Sequence, residues 1–276
     1  MDPAATLRFV SVNGMRLAYH DVGTGPPLVL IHGGGPGASG WSNYQRNIPA
    51  LSQSRRLLVV DLPGYGQSDN PPVDEAPLAF YARAVRGLLD ALGIGPVDIV
   101  GNSLGGGTAL QLALQDPDRV RRLVLMGPAG GLALTTPQPT EGLKVLLDYY
   151  APPGPSRPKL EAFLRLMVYD PSALTEDLIA ARFAQSLRPE IVARPPLTAA
   201  TLQRLEPLWR ECHRVQHPTL LVWGRDDRVV PLDSAWVLLR QLPDVRLHVL
   251  SQCGHWVQWE RATEFNRLVE AFLAHA

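Results

Sequence analysis

Ser103, His255 and the pair Asp226-Asp227 are the residues of this chain whose types and surroundings could combine in nucleophilic chemistry. Ser103 stands in "GNSLG" (101–105), a G-x-S-x-G pattern between the apolar run "VDIV" and the small-residue run "GGGTALQLAL". A serine placed after a strand and before a helix sits on a strained turn that lifts its hydroxyl clear of the sheet, and small neighbours prevent side-chain clashes. The helix that follows aims its N-terminus at developing negative charge. A hydroxyl is a weak nucleophile by itself, so the pattern needs a base and an acid to orient that base. Both occur later. "LVWGRDDRVVP" ends one apolar run with Asp226-Asp227, and "LHVLSQCGHW" ends the last one with His255, which lies 28 residues after Asp227. The run before them ends in "LMGPAGG", with no carboxylate to compete.

The elements that would position these groups alternate between short β-rich and longer helical patterns. "LRFVSVNG" and "MRLAYHDVG" read as a hairpin hinged at Asn13-Gly14, a pair favoured in two-residue turns. Continuous apolar strands follow at 27–33, 56–61, 96–101, 122–127, 219–224 and 246–250. Runs without polar alternation suit a parallel sheet covered on both faces. "YARAVRGLLDALG" and "TEFNRLVEAFLAH" read as covering helices. The expected architecture is α/β: an α/β-hydrolase fold with a mostly parallel eight-stranded sheet, helices on both faces and the chain order Ser, Asp, His. Between Gly131 and about Leu205 no good strand appears, only helical patterns separated by "TTPQPTEG", "APPGPSRP" and "ARPPL". The expected division is a core of residues 1–130 and 206–276 and a helical lid over 131–205, above the strand ends where ligands bind in such sheets.

A second glycine cluster, "GGGPGA" (33–38), admits two readings. It imitates the G-x-G-x-x-A turn that cradles a dinucleotide pyrophosphate, with Asp61 as the ribose-binding acid. Against this, two strands precede it, Pro36 lacks an amide that a phosphate would need, and Asp61 falls 28 residues after Gly33 rather than about 20. The alternative is that it supplies one amide of an oxyanion hole, the other coming from the residue after the nucleophile. Those amides would be Gly34 and Leu104. Asp61 then reads as a turn residue.

Composition narrows the class further. Lys+Arg 26 balances Asp+Glu 26, which offers neither a basic face for nucleic acid nor an acidic tail. Only Lys144 and Lys159 are lysines. Cys212 and Cys253 form neither a metal spacing nor a disulfide framework, and no metal or cofactor is expected. "MDPAATLRFVSVNG" lacks the basic and apolar regions of a signal peptide, and no apolar run approaches the roughly 20 residues needed to span a bilayer. The expectation is a cytoplasmic protein without membrane or nucleic-acid partners.

Taken together, "HGGGPGASGWSNYQRN", "GNSLGGGTA", "WGRDDRVVP" and "CGHWVQWE" resemble the meta-cleavage-product hydrolases, carbon–carbon bond hydrolases of bacterial aromatic and steroid degradation. The resemblance spans essentially the whole chain, including "LEAFLRLMVYDPSALTEDLIAARF". "GNSLGGGTA" and "LRLMVYD" look most like the steroid-pathway branch, while "GHWVQWE" also fits the biphenyl-type branch. "APPGPSRP" departs from the pattern. The resemblance implies hydrolysis of 2-hydroxy-6-oxo-dienoates next to the 6-carbonyl, with Ser103 as nucleophile, His255 as base and proton carrier, and Asp227 as triad acid. It also implies substrate contacts from Gly34, Gly35, Asn43, Asn102, Ser172, Arg182 and Trp256, and a homodimer or larger assembly.

Elementary chemistry runs parallel to the resemblance. Carbon leaves only when its electrons can delocalise, so a carbonyl must first be formed to receive them. The dienoate that the resemblance implies carries a carboxylate, and Arg182, which matches the family's substrate-binding arginine, could hold it through two parallel hydrogen bonds. The alternative is a serine esterase or a proline iminopeptidase-like hydrolase, since "HGGGPG" is similar to the latter's glycine motif.

Overall fold

The computed structural model describes residues 2–274. Eight strands form one sheet: β1 (Leu7–Val12), β2 (Met15–Val22), β3 (Pro27–Ile31), β4 (Arg56–Val60), β5 (Val97–Asn102), β6 (Val120–Met126), β7 (Thr219–Gly224) and β8 (Val245–Leu250). Their order is β1-β2-β4-β3-β5-β6-β7-β8. β2 runs antiparallel to both its neighbours, and every pairing from β4 to β8 is parallel. The opening hairpin turns at Asn13 (φ 52) and Gly14 (φ 78), two left-handed residues as a tight hairpin turn requires.

The continuous apolar runs are explained by burial on both faces. Along β3, Val29 and Ile31 enter one core cluster, while Leu28 and Leu30 enter another. The first is closed by helices Pro77–Ala91 and Leu104–Gln115, the second by Ala262–Ala274. The last residue of the expected helix "TEFNRLVEAFLAH", His275, lies outside the described residues. β3 stops at Ile31 rather than continuing to residue 33. The His32 ring bonds to Gly33 O and accepts from the Leu62 amide, which turns the chain out of the ladder.

Between β6 and β7 the described residues form helices and turns only. Glu141–Asp148, Arg157–Met167, Glu176–Ser186 and Ala199–Gln203 are N-capped by Thr140, Ser156, Thr175 and Thr198, whose hydroxyls accept from otherwise unpaired amides of the first turn. Pro189–Ala193 completes the set. The helices Glu141–Asp148, Arg157–Met167 and Glu176–Ser186 share a third apolar cluster with residues following β7 and β8: Leu146, Phe163, Leu164, Met167 and Leu178 pack with Val229, Trp256 and Trp259. The interval is thus anchored over the C-terminal ends of the strands that carry Asp227 and His255.

Candidate active site

Ser103 occupies φ 54, ψ −115, a left-handed conformation that costs a non-glycine residue about 1–3 kcal/mol. Its surroundings hold it there. Ser103 N donates to Met126 O at 2.8 Å, and Ser103 O accepts from Gly107 N at 3.0 Å and Ala129 N at 2.9 Å. The flanking glycines are required by close backbone approach. A Cβ on Gly105 would lie 2.2 Å from Ile31 O, and one on Gly101 would lie 2.5 Å from Gly105 O.

His255 and Asp227 meet beyond the ends of β8 and β7. His255 Nδ1 lies 2.7 Å from Asp227 Oδ2, with both side chains almost wholly buried. Asp227 Oδ1 accepts from the amides of Val229 (2.8 Å) and Val230 (2.9 Å), so that carboxylate is fully engaged. Asp226 is directed elsewhere: it pairs with Arg225 at 3.6 Å and accepts from Cys253 N at 3.4 Å. Ser103 and His255 line one cavity of about 250 Å³, together with Gly33, Gly34, Gly35 and Leu104.

The glycine loop is fixed through its carbonyls. Gly33 O accepts from His32 Nδ1 (2.8 Å), Gly34 O from the Tyr65 hydroxyl (3.2 Å), Gly35 O from Ala38 N (3.1 Å), and Pro36 O from Arg182 Nε (3.1 Å) and Nη2 (2.9 Å). In a planar trans peptide the N–H points opposite to the C=O, so tying Gly33 O sets the direction of the Gly34 N–H. Among the described residues the amides of Gly34 and Leu104 have no acceptor. Two free donors beside a serine can serve an oxyanion. Burial pushes the His32 imidazole down to about 4, so it is neutral at pH 7 and must carry its proton on Nδ1 to donate to Gly33 O while Nε2 accepts from Leu62 N. Asp61 ties two loops by accepting from Gly40 N (2.7 Å) and Gln67 N (2.9 Å), and burial raises its carboxyl to about 6. It is a turn residue in this structure.

The remaining expected contacts divide. Arg182 is 2% exposed and stands directly behind Gly35, where a Cβ would come within 2.9 Å of Nη2. Its Nη1 has no partner among the described residues, and burial lowers the guanidinium to about 10 with tyrosines, not carboxylates, as its polar neighbours. It also lies 4.9 Å over the Trp256 ring, which stacks on Trp259. Trp256 Nε1 donates to Asn43 Oδ1 at 2.8 Å, and these two, like Arg182, stand behind the cavity wall rather than in its lining. Asn102 is likewise buried, donating to Met126 O and His255 O at 3.3 Å each, with Oδ1 unpartnered. Ser172 is not brought to the site. It lies exposed on the turn Pro171–Ala173, its amide bonded to Asp170, and does not line the cavity.

Residues that motif reading passes over also act here. Glu260 accepts from Tyr169 N and Asp170 N (2.7 Å each) through Oε1 and from Gly254 N (2.8 Å) through Oε2, joining the helical interval to the residue before His255. It is present in "GHWVQWE", but the three amides it serves are not identifiable from that string.

A sheet of this order, with a strained serine turn after β5 and an Asp–His pair after β7 and β8, defines an α/β hydrolase, and the α/β hydrolase fold model matches residues 26–262. The chain is 42% identical to a 2-hydroxy-6-oxo-6-phenylhexa-2,4-dienoate hydrolase of Burkholderia cepacia, over 100% of this chain and 99% of the relative. It is also 42% identical to a 2-hydroxy-6-oxononadienedioate/2-hydroxy-6-oxononatrienedioate hydrolase of Comamonas testosteroni, with the same coverage. A variant of the meta-cleavage product hydrolase CumD from Pseudomonas fluorescens IP01, complexed with acetates, superposes with a TM-score of 0.86 at 35% identity over 97% of both chains. The chain belongs to the meta-cleavage product hydrolases of the α/β hydrolase fold.

Proposed function

We propose that this chain adds water across the C5–C6 bond of a 2-hydroxy-6-oxo-dienoate formed in aromatic-ring breakdown, releasing a 2-hydroxydienoate and a carboxylic acid, without a cofactor. The observation that carries this over an ordinary esterase is Arg182: a buried guanidinium without a carboxylate partner, one nitrogen unpaired, beside the glycine loop. Such a group is stabilised by an anion. A peptidase acting on a free amine would need an acid at the cavity, and none lines it among the described residues.

In this reading Arg182 holds the substrate C1 carboxylate, and the 2-hydroxyl proton moves to C5: C2=O forms, the C2=C3 pair moves to C3=C4, and the C4=C5 pair takes the proton, giving a 2-keto compound. Ser103 Oγ adds to C6 as His255 takes its proton, and the amides of Gly34 and Leu104 receive the charge on the C6 oxygen. When C5–C6 breaks, its electron pair forms C4=C5, the C3=C4 pair moves to C2=C3, and the C2 oxygen is protonated. Water then releases the acyl group as the acid. Asp227 holds the imidazole; Asn102 positions the residues behind it. The segment 131–205 is the lid and 1–130 with 206–276 the core. Among the described residues no helix is long and apolar enough to cross a membrane. A homodimer or larger assembly and a cytoplasmic location complete the proposal, supported by the family resemblance.

Loss of the yellow dienoate chromophore tests it. Ser103→Ala is expected to slow bleaching at least about a thousandfold while remaining folded. Arg182→Gln is expected to lose about ten- to a hundredfold more on dienoates than on a neutral nitrophenyl ester. Near-native bleaching by the serine variant, or equal losses on both substrates by the arginine variant, would refute the assignment.

A further inference from the structure

We infer, building on the function proposed above, that the group attached at C6 of the substrate is uncharged and largely hydrocarbon, and that Ser234 hydrogen-bonds a neutral oxygen on it. Similarity does not choose the substituent. The two relatives at 42% identity are named for a 6-phenyl dienoate and for a nonadienedioate, which carries a second carboxylate.

The cavity does choose. Away from Ser103, His255 and the glycine loop its wall includes Leu132, Leu143, Leu202, Leu205, Val229 and Val230. No Lys, Arg, Asp or Glu lines it among the described residues. Arg182 stands behind Gly35, with Nε and Nη2 committed to Pro36 O, and its free capacity is assigned to C1. A second carboxylate placed against this wall would shed its water without gaining a cation, which strongly disfavours it.

Ser234 and Gln138 add polar side chains to that mostly apolar wall; Gln138 is exposed, whereas Ser234 is 3% exposed and its hydroxyl makes no hydrogen bond among the described residues. The local carbonyls a serine would otherwise use are engaged. Val230 O accepts from Trp223 Nε1 at 3.0 Å, and Pro231 O accepts from Ser234's own amide at 3.0 Å. An unmade hydrogen bond in an apolar surface is costly, so a substituent that supplies a hydroxyl or carbonyl there is favoured over one that does not.

The test measures kcat/KM by chromophore loss for ring-fission products bearing phenyl, each hydroxyphenyl isomer, or a chain ending in carboxylate. The full chain is expected to prefer phenyl over the carboxylate-bearing product by at least about a hundredfold. Ser234→Ala is expected to lower the ratio of the best hydroxyphenyl isomer to phenyl about tenfold. Because this ratio is taken within one variant, the amount of folded enzyme cancels. A ratio unmoved for every isomer, or wild-type preference for the carboxylate, would overturn the inference while leaving the C–C hydrolase reading intact. Failure on every dienoate with retained ester hydrolysis would overturn both.

Discussion

Asp227 Oδ2 lies 2.7 Å from His255 Nδ1, while the adjacent Asp226 turns to Arg225 and the Cys253 amide. One step along the chain separates an acid that can orient an imidazole from one that cannot. The amides of Val229 and Val230 occupy the other oxygen of Asp227 and fix the carboxylate plane against the ring.

Asp227→Asn is therefore expected to lower kcat by about 10³–10⁴-fold, because an amide can hold the imidazole in the wrong tautomer. Asp226→Asn should change kcat by less than about fivefold, since its contacts are partly exposed and long. Steady-state rates of the two variants on one dienoate check the pair; equal losses would reassign the acid.

Glu260 is expected to position His255 through Gly254. Glu260→Gln keeps one carbonyl oxygen for the Tyr169 and Asp170 amides but turns an N–H₂ toward the Gly254 N–H. The glutamine variant should lose about tenfold in kcat with little change in KM, and Glu260→Ala should also lower Tm by about 4 °C or more. Losses confined to Tm would mean that the side chain only braces the fold.

His32 links pH to stability with a definite sign. Its folded-state value, pushed down by burial to about 4, lies below the ordinary 6.5. Between these values the unfolded chain binds a proton that the folded chain does not, so this contribution is present above about pH 6.5 and is lost as pH falls toward 4. The full loss is on the order of 3 kcal/mol. His32→Gln should be less stable than the native chain at pH 8, and the gap should narrow as pH drops through this window. Denaturant midpoints at a series of pH values measure the difference; a gap constant from pH 8 to pH 4 would contradict the assignment.

Much of this molecule is legible in its sequence because the signals are local. The strand runs at 27–31, 56–60, 97–102 and 219–224, apart from Arg56, Asp98, Asn102 and Thr219, are apolar without alternation because both faces of each are covered, and burial of that kind is written directly into composition. The turn at Ser103 is legible for the same reason: its glycines are demanded by backbone atoms only a few residues or one strand away. The Ser/Thr caps of the helices between β6 and β7 also act within three residues.

The contacts that set Asp227 apart from Asp226, which the resemblance alone had distinguished, the exposure of Ser172, and the placing of Asn43 and Trp256 behind the wall rather than in it all depend on how side chains from different elements are turned in space. His32, Tyr65 and Glu260 act on backbone carbonyls and amides, which every residue possesses, so no residue type marks their partners. Arg182 acquires its unpaired charge only where the helix Glu176–Ser186 packs against the glycine loop and leaves no carboxylate beside it. Sequence determined which groups were available and which elements would carry them. Tertiary packing decided which of those groups were left without partners, and it is unpartnered groups that a substrate can satisfy.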